Sequence, residues 1–395
     1  MTTLFDRVPN RRNPYVLNKW TTYPSDVIPM WVADMDFRSP PPVLRGLRNA
    51  LDHGVMGYEL PSSSLLETVA GRMERLYGWK IAPEMVIPVT GIVSGFNVAA
   101  RTFCGEKKGY LVQPPVYGEF LLLKESMGLR QYESPLKQTA KDKILHYEIN
   151  WEAFEKQISK VRLFLLCNPH NPVGLIYSRS DLRRMAEMCL AHDVIIVSDE
   201  IHSELLLDGQ KFTPLAKLSK AISKRTITLA APSKTFNVPG LFCGFAIIPD
   251  PQLRAEYALT VEKLRLHVSS LGLRAALIAF SGECDAWLAD LRSYLTGNRD
   301  FLIDYIGKYL PDIRVTRPDA TYLAWLDCSE LVRQGRIAGS PFDFFLNEAK
   351  VAFSDGKVFG AGSAEFVRLN FGCTRRTLKQ ALDRVRDSLY RRKNG

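Results

Sequence analysis

Apolar and polar positions along the chain fall into two alternating kinds of segment. From about residue 40, short runs of consecutive apolar residues alternate with stretches whose apolar positions recur at helical spacing. The runs Tyr110–Gln113, Leu163–Cys167, Val194–Ser198, Thr226–Ala230 and Gly244–Ile248 read as strands, and Arg179–His192 reads as an amphipathic helix between two of them. Strands that are apolar on both faces belong in a mainly parallel sheet covered by helices on each side, so the pattern predicts an α/β fold. The spacing then predicts a long helical stretch over about Pro251 to Leu310. A second, smaller α/β region follows, with strands at Ile313–Arg317, Tyr322–Leu326 and Phe366–Phe371. The first forty-odd residues, rich in proline and aromatics, read as an extended arm. No repeat or low-complexity segment interrupts this order.

Composition changes little in that picture. Apolar residues make up 46% and charged residues 24%, as in ordinary globular proteins. No apolar run reaches the roughly 18 residues of a membrane span, and the opening MTTLFDRVPNRRNP has no signal-peptide core, which points to the cytoplasm and away from a membrane. The seven cysteines are scattered without a CxxC pair, against a disulfide framework or a cysteine zinc site. Of the net charge of +10, part comes from Arg375-Arg376, Arg384, Arg386 and Arg391-Arg392-Lys393, all in one closing helix. That reads as a solvated face. Without basic runs interleaved with stacking aromatics, a nucleic-acid partner is not indicated.

Chemistry enters at the ends of the strands. In VSDEIH (197–202) an apolar strand ends in Asp199, where open α/β sheets place ligands, although an Asp there also caps helices and turns. The next strand runs into AAPSKTFNVPG, which puts Lys234 in a turn-rich loop at the same sheet edge beside Ser233. In LLCNPHNPVG (165–174) two Asn-Pro steps fix the backbone, and Asn171 can aim its amide at the same place. In VTGIVSGFNVAARTF (89–103) Gly91 starts a turn and a helix follows from Ser94. The N–H groups of Gly91, Ile92 and Val93 then form a phosphate nest. The nucleotide fingerprints GxGxxG and GxxxxGK[ST] are absent from it.

In this order Asp, Asn-Pro-x-x-x-Gly and Ser-Lys-Thr resemble the fold-type I pyridoxal-5′-phosphate (PLP) enzymes, the aspartate aminotransferase superfamily. IPMWVADMDF (28–37), GYEL (57–60), PPVYGEF (114–120), NPHNPVG (168–174), SDEIH (198–202), SKTFN (233–237), TYLAWLD (321–327) and VRLNFGC (367–373) narrow it. They are similar to the cystathionine β-lyase-like branch, the MalY/PatB type. The resemblance implies an arm with part of the small domain over 1–45, a large PLP-binding domain over 46–285 and a small C-terminal domain over 286–395.

It also implies roles. Lys234 carries PLP covalently and, once freed, removes the substrate's Cα proton. Asp199 pairs with the cofactor's ring nitrogen, Asn171 donates to its 3-oxygen, and Tyr117 stacks on the ring. Arg368 grips the substrate α-carboxylate as a fork. Tyr58 reaches the phosphate from a second subunit, so the active unit is a homodimer with shared active sites. Trp31 and Asp34 stand near the substrate entrance. Three positions depart from the aminotransferase pattern: His202 stands where a tyrosine near the 3-oxygen is common, Phe242 replaces a phosphate-binding arginine, and Ala231 a phosphate-binding serine. The phosphate then relies on residues 91–93, Ser233 and Tyr58, and is held more loosely. His202 as a metal ligand lacks a second His or Cys at ligand spacing. The implied reaction is β-elimination from L-cystathionine or another S-substituted L-cysteine, giving thiol, pyruvate and ammonia. The alternatives are transamination, another PLP reaction of amino-acid-derived secondary metabolism, or a regulatory binding role.

Overall fold

The structure is a computed structural model that describes residues 4–12, 18–105 and 109–391. Its centre is a seven-stranded sheet in the order Val86–Val89, Gly244–Ile247, Thr226–Ala230, Ile195–Asp199, Val161–Cys167, Gly109–Val112, Gln131–Glu133. Neighbours are parallel except Gly244–Ile247, which is antiparallel to both of its partners. The sheet is covered on both faces, which explains the continuous apolar runs. Leu163, Leu165 and Cys167 pack into one buried cluster with Ile195 and Val197, while Phe164, Leu166 and Ile196 pack into another on the opposite face. Helix Arg179–Ala191 contributes Leu182, Met185, Ala186 and Cys189 to the second cluster, one stripe at helical spacing.

Register brings the strand ends together. Cys167 lies opposite Asp199, and Asp199 opposite Leu229. The residues that follow each strand, 168–171, 200–202 and 231–234, therefore emerge side by side at one edge. That is where a doubly covered parallel sheet leaves its crevice.

A second sheet has six strands in the order Ser354–Asp355, Phe366–Asn370, Leu323–Asp327, Arg314–Thr316, Ile144–Glu148, Lys137–Lys141. The expected strands near 313–317, 322–326 and 366–371 are present, but the pair Lys137–Lys141 and Ile144–Glu148 joins this sheet from much earlier in the chain. The long helical stretch is corrected to three helices: Pro251–Lys263, Ser270–Ser281 and Asp285–Tyr309. The breaks are chemical. Ser269 caps the second helix by accepting from Gly272 N, and Gly282 ends it at φ +109°, a conformation that side chains with a Cβ rarely adopt.

Residues 28–29 of the arm run parallel to Val351–Ala352, and a helix begins at Pro41. All seven cysteines are buried and free. The closing helix spans Arg375–Arg391 and turns Leu378, Leu382, Val385 and Leu389 inward; residues 392 and 393 lie outside the described residues. Among the described residues, no helix is long and apolar enough to cross a membrane, and no cluster of His, Cys, Asp and Glu suits a metal ion.

Candidate active site

Lys234 lies not in an open loop but on a single helical turn, Pro232–Thr235, with Ala231 at its N-cap. The turn ends at Asn237, whose φ of +54° sends the chain back under the arm. The Lys234 ammonium donates to the Ala33 carbonyl at 2.7 Å. Burial pulls its pKa from 10.5 down to about 8; the Arg368 charge adds to the fall, and Asp34 and Asp199 oppose it. Part of the amine population is therefore neutral near neutral pH, as covalent attachment and proton removal both require.

Asp199, 3% exposed, has the Ile201 N–H at 3.1 Å on one oxygen. Burial raises its pKa from 3.8 to about 7, while that hydrogen bond and Lys234 oppose the rise. A carboxylate in that state is short of a cation. His202 is buried with its Nδ1 unpartnered, and burial with the Lys234 and Arg368 charges holds it neutral, at about 3.

Arg368, on the strand Phe366–Asn370, is buried over the Phe359 ring, 4.8 Å from its centroid. It donates to Asn171 Oδ1 at 3.1 Å, the Trp31 carbonyl at 3.0 Å and Ser354 Oγ at 3.1 Å, while its Nε has no partner. Burial lowers its pKa to about 10. Tyr117 stands at the start of helix Gly118–Leu121. Burial raises its hydroxyl pKa, as do the charges of Glu119 and Asp199, while Arg368 lowers it.

Helix Ile92–Phe103 starts two residues earlier than Ser94, with Gly91 at its N-cap and φ +118°. Its first N–H groups have no acceptor within the helix. The neighbourhood of Gly244 places this end beside the lysine turn: a Cβ there would lie 3.3 Å from Ile92 Cδ1 and 3.5 Å from Ala231 Cβ. Ser233 is half-buried, Phe242 faces solvent, and Tyr58 is fully exposed on segment 54–60.

Sequence reasoning missed what roofs the site. Segment 31–35 presents successive backbone carbonyls to side chains from distant elements. Ala33 O accepts from Lys234 and from Tyr322 Oη at 2.8 Å. Val32 O and Asp34 O accept from Asn370 Nδ2 at 2.6 and 2.7 Å. Asn237 accepts from Met35 N and donates to the carbonyls of Met35 and Phe37. Asp34 is ion-paired with Arg11 at 2.7 Å and with buried Lys19 at 3.6 Å. Burial opposes its charge, but these cations hold its pKa below the ordinary value. Asn237 and Asn370 stand inside motifs that the sequence offered; Lys19 and Arg11 carried no signal.

These residues fit PLP. The underpaired Asp199 carboxylate suits a ring cation, the N-terminus of helix Ile92–Phe103 suits a phosphate, and Lys234 offers an amine at the same sheet edge. His202 Nδ1 and Arg368 Nε are buried without partners, so a polar ligand at this edge would satisfy them.

The family model "Aminotransferase class I and II" matches residues 34–385. The chain is 38% identical over 367 residues to "Cystathionine beta-lyase PatB" of Bacillus subtilis, covering 92% of this chain and 93% of that protein. Two solved structures share the fold throughout. A PLP-bound aminotransferase, described as putative, from Clostridium difficile matches with a TM-score of 0.92 at 31% identity, covering 98% and 99% of the two chains. The PLP-bound C–S lyase of Staphylococcus hominis matches with 0.89 at 28% identity, covering 98% of each. The chain belongs to the aminotransferase class I and II family, and within it to the cystathionine β-lyase-like branch that holds PatB.

Proposed function

We propose that this chain is a PLP-dependent C–S β-lyase that eliminates the sulfur substituent from L-cystathionine or another S-substituted L-cysteine, giving thiol, pyruvate and ammonia. The observation that carries the reading is the convergence of Lys234, buried Asp199 and Asn171 just past the ends of neighbouring strands at one edge of the sheet. The branch to which the chain belongs supplies the reaction class.

PLP, when bound, supplies an electron sink for the pair left at the substrate's Cα. Asp199 would hold a proton on the cofactor's ring nitrogen and so gain the cation that its buried carboxylate lacks. Asn171 would donate its amide to the ring's 3-oxygen, and burial would keep His202 neutral. Arg368 releases part of its fork to grip the substrate α-carboxylate, which orients the Cα–H bond toward Lys234. The Lys234 amine would then take that proton as the Cβ–S bond breaks; the sulfur leaves as thiolate and is protonated, and the released aminoacrylate is hydrolysed by one water in solution to pyruvate and ammonia. Tyr117 closes the open face and keeps water away.

The phosphate site is completed by a second copy. Tyr58 stands fully exposed among Val55, Met56 and Leu60, an apolar segment that a homodimer would cover. Mixing Lys234→Ala and Tyr58→Ala proteins should recover activity that neither shows alone, because hybrid dimers hold one intact shared site.

The main test uses one cuvette. Purified protein with PLP should show the visible band of a lysine-bound cofactor, lost on borohydride reduction, and should release pyruvate from L-cystathionine with no 2-oxo acid present. Strict dependence on a 2-oxo acid acceptor would mean transamination instead. Absence of the band after PLP addition would sink the assignment of Lys234.

A further inference from the structure

The apolar face of helix Ser63–Tyr77 carries one charged side chain inward. Leu65, Val69 and Met73 are buried as amphipathic spacing requires, and Arg72 lies among them at 0% exposure. Its guanidinium forks Glu204, Nε to Oε1 at 2.8 Å and Nη2 to Oε2 at 2.5 Å, and Nη1 reaches Asp285 at 3.0 Å. Two neighbouring rings flank the group, Phe236 at 5.3 Å and Phe280 at 5.2 Å, their centroids 6.5 Å apart. Burial opposes the charge, but Glu204 and Asp285 outweigh it, so the guanidinium stays protonated.

The partners matter more than the pair. Glu204 ends the SDEIHSE run that carries Asp199 and His202, and Phe236 follows Lys234 in SKTF. The two loops that carry Asp199 and Lys234 are thus fastened to a single planar group, one by charge and one by a ring. We infer that Arg72 is a positioning residue that sets the Asp199–His202 turn against the Lys234 turn. The inference rests on the reading of those residues as the cofactor's attachments. Stability alone does not call for such a pair, since buried ion pairs are often replaced by apolar side chains of similar volume without loss. A planar fork held by a carboxylate and packed against rings fixes distance and orientation, which an apolar contact or a lysine does not.

The test compares wild type, Arg72→Lys and the double variant Arg72→Met/Glu204→Leu. The double variant leaves no buried charge behind: Asp285 is partly exposed to water, and the Phe280 carbonyl keeps Arg75 at 3.1 Å. Three quantities are read: the PLP dissociation constant of the apoprotein by fluorescence quenching, the pH midpoint of the visible band, and kcat against KM. The expected result is a double variant that melts within a few degrees of wild type. It binds PLP about tenfold or more weakly, has a displaced band midpoint and loses about a hundredfold in kcat/KM, mostly in kcat. Arg72→Lys falls between the two. A double variant with wild-type PLP affinity and band midpoint, altered in melting alone, overturns the inference. If that variant does not fold, unchanged affinity and midpoint in Arg72→Lys overturn it equally. A wild type that takes up no PLP refutes the functional reading, and this inference with it.

Discussion

Asp199→Asn should separate two effects carried by one carboxylate. In the apoprotein the group is 3% exposed, has a single backbone donor on its bonded oxygen and is raised from 3.8 to about 7, mainly by burial. At about 1.36 kcal/mol for each tenfold change, keeping it ionised above pH 7 costs the folded apoprotein about 4 kcal/mol relative to an ordinary carboxylate. The folded chain binds this proton more tightly than the unfolded chain does. Apoprotein stability therefore falls as pH rises from about 4 to about 7, and the slope then levels. Asparagine keeps the Ile201 hydrogen bond and does not titrate, but its new N–H groups take back about 1–3 kcal/mol if left unpaired. The apo variant should be more stable than apo wild type by about 1–3 kcal/mol at pH 8, and the difference should shrink and change sign on acidification toward pH 4. Saturating PLP should reverse the order, because only the carboxylate gains from the ring cation. Elimination should slow by about a hundredfold or more. Urea unfolding across that pH range, with and without PLP, reads all of this. An apo variant whose advantage does not grow with pH would refute the account of Asp199 as a carboxylate short of a cation.

Three further outcomes follow from the same geometry. Arg368→Lys loses the fork and at least one charge-assisted hydrogen bond, so KM should rise about tenfold to a hundredfold with kcat changed only a few-fold; an unchanged KM removes Arg368 from the substrate carboxylate. Asn237→Ala deletes three hydrogen bonds to the 35–37 backbone and should lower apoprotein stability by about 2–4 kcal/mol in urea, whereas a loss under about 0.5 kcal/mol would show that the roof docks without this clamp. Because the Lys234 amine must be neutral to attack, and its pKa is lowered to about 8, the rate at which apoprotein captures PLP should climb with pH and level above about 8; a rate still climbing to pH 10 contradicts the lowered value.

What the sequence made legible follows one rule: it is whatever local pattern or chain end determines. Strands buried on both faces announce themselves as apolar runs, and the residues just past them, Asn171, Asp199 and Lys234, inherit a location from the sheet. The pair at 137–148 gave no such signal because Lys137–Lys141 is exposed throughout and its side chains are unpatterned. Asn237, Asn370 and Tyr322 bond to backbone carbonyls far away in sequence, and a carbonyl is chemically the same at every position, so nothing marks which one is the target. Arg72 reads as one more surface cation in GRMERLY until Glu204 and the two rings are placed around it. Tyr58 has a role only if a second chain is present, and one chain cannot display it.

The roof over Lys234 is also a matter of timing. Residues 31–35 leave the ribosome early, yet the groups that hold them, Ser354, Arg368 and Asn370, and the strand Val351–Ala352 beside residues 28–29, are made more than three hundred residues later. Chains emerge at about 5–20 residues per second, N-terminal part first, so the central sheet can form while the roof still waits for its partners. A nascent chain in that interval has the lysine turn, with Asn237 available to residues 35–37, but lacks Arg368 and Asn370, which bond the carbonyls of residues 31, 32 and 34. Arg368 and Asn370 can fasten the roof beside Lys234 only once synthesis has passed residue 370.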